Sequence, residues 1–80
     1  MSDVESRIKD VVVRTLKIDA ARVLEDARFV EDLGAESMQS IELIAAFEEE
    51  FDIEMDEEAA VGVKTVGGAV TFIQDVIDNQ

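Results

Sequence analysis

The hydrophobic positions near the start of the chain predict an amphipathic helix over about residues 3–16. Apolar residues recur there at intervals of three and four, which places them on one helical face. These residues are Val4, Ile8, Val11, Val12 and Leu16. Ser2 and Glu5 have the spacing of a capping box at the start of this helix. We therefore expect a first helix that packs one face against the rest of the domain.

The next segment, residues 17–36, shows no sustained period. Its apolar residues are scattered among charges, with a short turn predicted near Ala20 to Val23. A structureless connection of this length is uncommon in a compact domain. We therefore predict an ordered loop that packs against the core and ends at Gly34, where glycine permits a tight turn.

A second helix is predicted from Ser37 to Phe51, and it is apolar on two sides. The side expected in the core carries Leu43, Ile44, Phe47 and Phe51. The second set, at the same spacing but pointing elsewhere, is Met38, Ile41 and Ala45. A helix of this kind is either deeply buried or buries one side and offers the other to a partner. Because deep burial is hard to arrange in so small a domain, we favour the second interpretation.

Two further helices complete the pattern. Asp56 is the predicted N-cap of a short third helix that runs to about Val61 and ends at Gly62. Thr65 is the predicted N-cap of the last helix. The apolar positions of that helix are Val66, Ala69, Val70, Ile73, Val76 and Ile77. The prediction is an all-α fold, a four-helix bundle with a long ordered loop between helices 1 and 2 and a short third helix.

Gly67 and Gly68 fall in the first turn of the last helix. Each glycine lowers helix propensity by about 1 kcal/mol relative to alanine. Two explanations stay open at this point, which are close packing against a neighbour and a mobile entrance.

The composition excludes several classes of function. The chain has 80 residues, of which 48% are apolar, so we expect one packed domain over residues 1–80. It has no Cys and no His, which excludes disulfides, thiolate zinc sites, thiol nucleophiles and the usual base near neutral pH. The alternating carboxylates from Asp52 resemble the start of an EF-hand loop, but Glu57 and Val63 replace the required Gly and Glu. We expect neither a metal site nor an enzyme.

The net charge of −13 is unevenly distributed. Residues 1–28 carry six acidic and six basic residues, whereas twelve acidic and no basic residues lie between Glu31 and Glu58. A run of charges is often only a solvated face, but these acids alternate with apolar residues and so predict an acidic surface that docks basic proteins. Nucleic acids and anionic membranes would be repelled. With an acidic N-terminus and no long apolar stretch, we expect a soluble, cytoplasmic monomer.

One motif combines these features with chemistry. The run Asp32-Leu33-Gly34-Ala35-Glu36-Ser37-Met38 places a serine hydroxyl where a glycine turn meets an acidic helix. Taken alone, a serine there is typical of a helix cap. The run resembles the attachment motif of acyl carrier proteins, usually read as Asp-Ser-Leu after Asp-Leu-Gly-Ala. The resemblance extends in order through residues 29–35, 41–43 and 47–53 and to Thr65-Val66-Gly67, and it covers nearly the entire chain.

The resemblance implies a non-catalytic carrier with 4′-phosphopantetheine, derived from coenzyme A, attached to Ser37. It implies that a phosphopantetheinyl transferase adds the arm and that the arm presents acyl thioesters to enzymes of fatty-acid, lipid or polyketide pathways. The residues implied to support the motif are Asp32, Leu33, Gly34, Glu36 and Met38. The residues implied to dock against basic patches on the partner enzymes are Met38, Ile41, Glu42, Ala45, Glu48 and Glu49. Those implied to line an acyl pocket are Leu43, Ile44, Phe47, Val70 and Ile73.

Several positions depart from the pattern of the family. Glu36 stands where the family usually has Asp, Met38 replaces Leu, and Asp56 replaces a proline, while Val61 and Gly62 occupy positions that are normally charged. These departures favour a specialised carrier with its own partner enzymes. Two alternatives stay open, namely a carrier for aminoacyl or other non-fatty cargo and an unmodified acidic helical interaction protein.

Overall fold

The computed structural model describes residues 3–79, apart from the side chain of Glu57. This part of the chain contains four α-helices and one short 3-10 turn, Ala20–Arg22. The helices are α1 (Asp3–Leu16), α2 (Ser37–Phe51), α3 (Glu57–Val61) and α4 (Val66–Asp78). The all-α prediction, with its short third helix, is confirmed. The predicted capping box includes Ser2 and therefore lies outside the described residues.

Helix α1 packs against both α2 and α4, and its apolar face supplies the centre of the core. Ile8 and Val12 of α1 and Val66 and Ile73 of α4 are completely buried. Burying each such side chain contributes about 1.5–3 kcal/mol of hydrophobic free energy. The period of three and four read from the sequence therefore identifies the faces that meet.

The predicted caps of the two later helices are present. The Asp56 carboxylate accepts a hydrogen bond from the Glu58 N–H at 3.0 Å, and α3 ends at Gly62. The Thr65 hydroxyl accepts one from the Gly68 N–H at 3.0 Å. These short-range contacts satisfy N–H groups that have no acceptor within the helix.

The segment between α1 and α2 is an ordered loop, as predicted. It has five buried residues, which are Val23, Ala27, Phe29, Leu33 and Ala35. Leu24 and Val30, in contrast, are more than half exposed. The loop therefore gains its order from burial at irregular positions rather than from a repeating hydrogen-bond pattern.

Backbone hydrogen bonds fasten this loop to the start of α4, and we call this set the loop–α4 contact. The Gly67 N–H donates to the Glu25 carbonyl at 2.7 Å, the Val66 N–H to the Ala27 carbonyl at 3.0 Å, and the Phe29 N–H to the Lys64 carbonyl at 3.0 Å. A Cβ atom at Gly67 would lie 2.9 Å from that Glu25 carbonyl oxygen. Of the two explanations left open by the sequence, the structure favours close packing at Gly67.

Candidate functional site

Ser37 is the first residue of α2, and its side chain is exposed. The N-cap position is occupied by Glu36, which has extended backbone angles, so Ser37 is not the cap of this helix. The Ser37 hydroxyl makes no hydrogen bond within the described residues. Its oxygen is therefore available for chemistry at the positive end of the α2 dipole.

The turn that leads to Ser37 is shaped by the residues of the motif. Gly34 has a φ of 72°, in the left-handed region that glycine adopts without strain. Leu33 is buried beneath the turn, and the Asp32 carboxylate accepts a hydrogen bond from the Arg28 backbone N–H at 2.8 Å. This bond is the main reason that the pKa of Asp32 lies below its ordinary value of 3.8.

The helix start itself is held by a second local contact. The Gln39 side chain accepts a hydrogen bond from the Glu36 N–H at 2.9 Å, and the Ser40 hydroxyl donates to the Glu36 carbonyl at 3.3 Å. The side chains of Gln39 and Ser40 thus hold the first turn of α2, and the Ser37 hydroxyl is not needed to cap the helix.

A cavity of about 640 Å³ adjoins Ser37. Helix α2 contributes Ser37, Ser40, Ile41, Leu43, Ile44 and Phe47 to its lining. The region around α3 contributes Met55, Ala60, Val61, Val63 and Lys64, α4 contributes Ala69 and Phe72, and the preceding loop contributes residues 28–31. The serine and an apolar cavity therefore share one wall.

Of the residues predicted to line an acyl pocket, those on α2 border this cavity and those on α4 do not. Leu43, Ile44 and Phe47 border the cavity, whereas Val70 and Ile73 do not. Because a helix turns by about 100° per residue, Ala69 and Phe72 face the cavity while Ile73 is completely buried in the core beside α1. Knowing that Ile73 is apolar was not enough to tell which neighbour it meets.

The sequence pattern does not predict the cavity residues that lie outside α2. Phe72 follows Ala69 by three residues, and this spacing could have paired them. Met55 and Lys64 are brought to the cavity only by the path of the chain around α3, and the sequence carries no signal for that. Ile41, predicted for docking alone, also borders the cavity.

The outer side of α2 presents most of the predicted docking residues to solvent. Met38 is 74% exposed and Ile41 66% exposed, and Ala45, Glu42 and Glu49 are exposed too. Glu48 differs from the others. It is half-buried, and its carboxylate accepts a hydrogen bond from the Met55 N–H at 2.9 Å, so it also holds the turn after α2.

The acidic run is less uniform than the sequence predicts. Glu50 faces α1 and forms ion pairs with Arg7 at 2.9 Å and with Arg14 at 3.4 Å. The hydrogen bond from Arg7 is the main cause that lowers the pKa of Glu50 below its ordinary 4.5. Asp32 and Glu31 both lie beside the Arg28 guanidinium. Glu42 and Glu49 on the outer side of α2, and the exposed acids that follow this helix, form no ion pair within the described residues.

Within residues 3–79, no group of three or more Asp, Glu, His or Cys side chains is arranged to hold a metal ion. None of the helices in the same part of the chain is long and apolar enough to cross a membrane.

Comparison with known proteins gives one consistent result. The family model described as the phosphopantetheine attachment site matches residues 6–73. An acyl carrier protein of Phenylobacterium zucineum (strain HLK1) is 51% identical over 75 residues, which cover 94% of this chain and 95% of that protein. The solved structure of a protein provisionally assigned as an acyl carrier protein, from Mycobacterium tuberculosis, superposes with a TM-score of 0.84 at 32% identity and covers 90% of this chain and 96% of its own.

The fold and these similarities define a phosphopantetheine-bearing carrier domain. The chain belongs to the acyl carrier protein family. It is therefore a non-catalytic carrier whose prosthetic group is 4′-phosphopantetheine, and it interacts with the enzymes that add and modify its cargo.

Proposed function

We propose that Ser37 carries the phosphopantetheine arm and that the adjoining cavity shelters the acyl group. The observation that supports this most directly is the exposed Ser37 hydroxyl on the border of an apolar cavity. The residues present fit a phosphodiester at this point. The hydroxyl is free within the described residues, and the first N–H groups of α2 favour a bound anion.

Attachment requires only one group of this chain. The Ser37 oxygen forms a bond to the phosphorus of the pantetheine phosphate of coenzyme A, the pyrophosphate bond breaks, and adenosine bisphosphate leaves. The hydroxyl proton passes to a base of the transferase. Once attached, the arm supplies a thiol that holds acyl groups as thioesters.

The cavity favours fatty cargo over aminoacyl cargo. Leu43, Ile44, Phe47 and Phe72 form apolar walls, and burial of each methylene group contributes about 0.8 kcal/mol. An aminoacyl group would bring a charged ammonium into the same space, which is costly without a partner. We therefore assign the chain to enzymes of fatty-acid, lipid or polyketide pathways, with the cytoplasm as its expected location.

Docking of those enzymes is proposed for the outer side of α2, close to Ser37. Met38, Ile41 and Ala45 supply an apolar centre, and Glu42 and Glu49 supply exposed charge beside it. An apolar centre with an acidic rim suits brief association with a basic patch, because rim charges mainly raise the rate of encounter. Glu48 contributes charge as well, although its hydrogen bond to Met55 gives it a second task.

Intact-mass measurement after incubation with coenzyme A and a phosphopantetheinyl transferase tests the attachment. We expect one added arm on the wild-type chain and none on Ser37→Ala. Ser40→Ala is the matched control, because Ser40 borders the same cavity three residues after Ser37. This variant should still gain the arm on Ser37. Full loading of Ser37→Ala, or no loading of the wild type by transferases of several specificities, would overturn the proposal.

A further inference from the structure

The cavity beside Ser37 has three charged residues in its lining, namely Arg28, Glu31 and Lys64. Two of them compensate each other, because the Arg28 guanidinium forms an ion pair with Glu31 and lies 3.6 Å from Asp32. Lys64 has no ion pair within the described residues. The charged residues of the lining therefore sum to one net positive charge, although the chain as a whole carries −13.

Lys64 is also unusual in its position. It is the single basic residue between positions 29 and 80. Its backbone is fixed by the loop–α4 contact, in which the Lys64 carbonyl accepts the Phe29 N–H at 3.0 Å. Phe29 itself is buried and borders the cavity. Lys64 is thus an exposed residue on an anchored segment, and it lines the same cavity as Ser37.

We propose that Lys64 binds an anionic group at this cavity, either the phosphodiester of the arm on Ser37 or a carboxylate on the acyl cargo. The inference rests on the proposed function, since it takes Ser37 as the attachment point. Both sources offer the same chemistry, an oxyanion that accepts hydrogen bonds from an ammonium. Because the other walls are largely apolar, a carboxylate there would otherwise lose hydration without gaining a partner.

Four forms of the wild-type chain distinguish the two sources. These forms are unmodified, arm-loaded, loaded with a saturated acyl group, and loaded with the carboxylated acyl group of equal carbon count. Intact mass verifies each form, and NMR then records the Cε and Nζ resonances of Lys64. A shift on addition of the arm identifies the phosphodiester, whereas a shift with the carboxylated acyl group alone identifies the cargo.

The outcomes separate this inference from the proposed function. If mass shows the arm on Ser37 and the Lys64 resonances do not move in any loaded form, the inference is overturned and the attachment stands. If the wild type gains no arm, the proposed function is overturned and the inference falls with it.

Variants test whether the charge of Lys64 is what matters. If the phosphodiester is bound, Lys64→Gln moves the phosphorus resonance of the arm. If the carboxylate is bound, the carboxylated thioester on Lys64→Gln should be lost by hydrolysis about two- to fivefold faster than the same thioester on the wild type. This is the size of effect expected for a partly exposed ion pair. Lys64→Arg should restore either property. Lys17→Gln removes the same charge from an exposed lysine outside the cavity lining, and it should leave both unchanged; an equal effect of Lys17→Gln would overturn the inference.

Discussion

The two sides of α2 carry similar residues but have different roles. On the inner side, Phe47 is 3% exposed, the Glu50 carboxylate pairs with Arg7 and Arg14, and the Arg7 guanidinium lies 4.5 Å from the centre of the Phe51 ring. On the outer side, Ile41 is 66% exposed and Glu42 has no ion pair within the described residues. Apolar and acidic residues thus stabilise the fold on one side and remain available to partners on the other.

The comparison teaches that residue type alone does not assign a role along this helix. What separates Glu49 from Glu50 is a rotation of about 100°, which turns one carboxylate to solvent and the other to the arginines of α1. Variants on each side of the helix test this division of roles.

Truncation of the apolar residues should separate the two sides most clearly. We expect Phe47→Ala to lower the free energy of unfolding by about 3–5 kcal/mol, because it leaves a void in the buried face. Ile41→Ala should change it by no more than about 0.5 kcal/mol. Urea denaturation followed by circular dichroism measures both. Equal losses for the two variants would show that the outer side is also part of the stable core.

The loop–α4 contact offers a second test, which uses two adjacent glycines. Gly67→Ala places a Cβ atom 2.9 Å from a backbone oxygen of Glu25, and such overpacking typically costs about 1–3 kcal/mol. At Gly68 the nearest atom is the Thr65 hydroxyl oxygen at 3.1 Å, so a smaller displacement is needed there than at Gly67.

We therefore expect Gly67→Ala to unfold at a lower temperature than Gly68→Ala, although alanine improves helix propensity at both positions. Thermal unfolding of the two variants measures the difference. If their midpoints coincide, the loop is not packed as tightly on α4 as the distances indicate.

Charge reversal tests whether the outer carboxylates steer partners. Glu42→Lys with Glu49→Lys should slow association with a phosphopantetheinyl transferase by about tenfold at low salt, and added salt should reduce the difference. Asp75→Lys reverses one exposed carboxylate of α4 and so makes half of this change in net charge. Stopped-flow measurement of the association rate gives the answer. A similar slowing by the Asp75 variant would indicate an effect of net charge and not of this surface.

The contribution of Glu50 should appear in the pH dependence of the free energy of unfolding. Because the ion pairs lower the pKa of folded Glu50 below 4.5, the carboxylate stabilises the fold above the unfolded-state pKa. That contribution is lost as the pH falls through the folded-state pKa. We expect Glu50→Gln to flatten this part of the pH dependence of the free energy of unfolding. Identical acid profiles for wild type and Glu50→Gln would contradict the assignment of roles.

Much of the site could be predicted because its determinants are local. The turn needs Gly34 at a positive φ, and the caps at Asp56 and Thr65 act within three residues. The cavity could not be predicted in the same way. Val70 and Ile73 are as apolar as Phe72, yet they do not border the cavity, because the angle at which α4 meets α1 determines which of its residues face inward.

Local sequence is sufficient to predict the four helices and the position of Ser37 at the start of α2, and it shows that the chain has no Cys and no His. Periodicity, capping and composition are properties of neighbouring residues, so they can be read without a fold. Only the tertiary structure decided which acids are neutralised by arginines, that Glu48 supports a turn, and that Lys64 comes to the cavity beside Ser37. The ion pairs and the cavity join residues far apart along the chain, and packing alone brings them together.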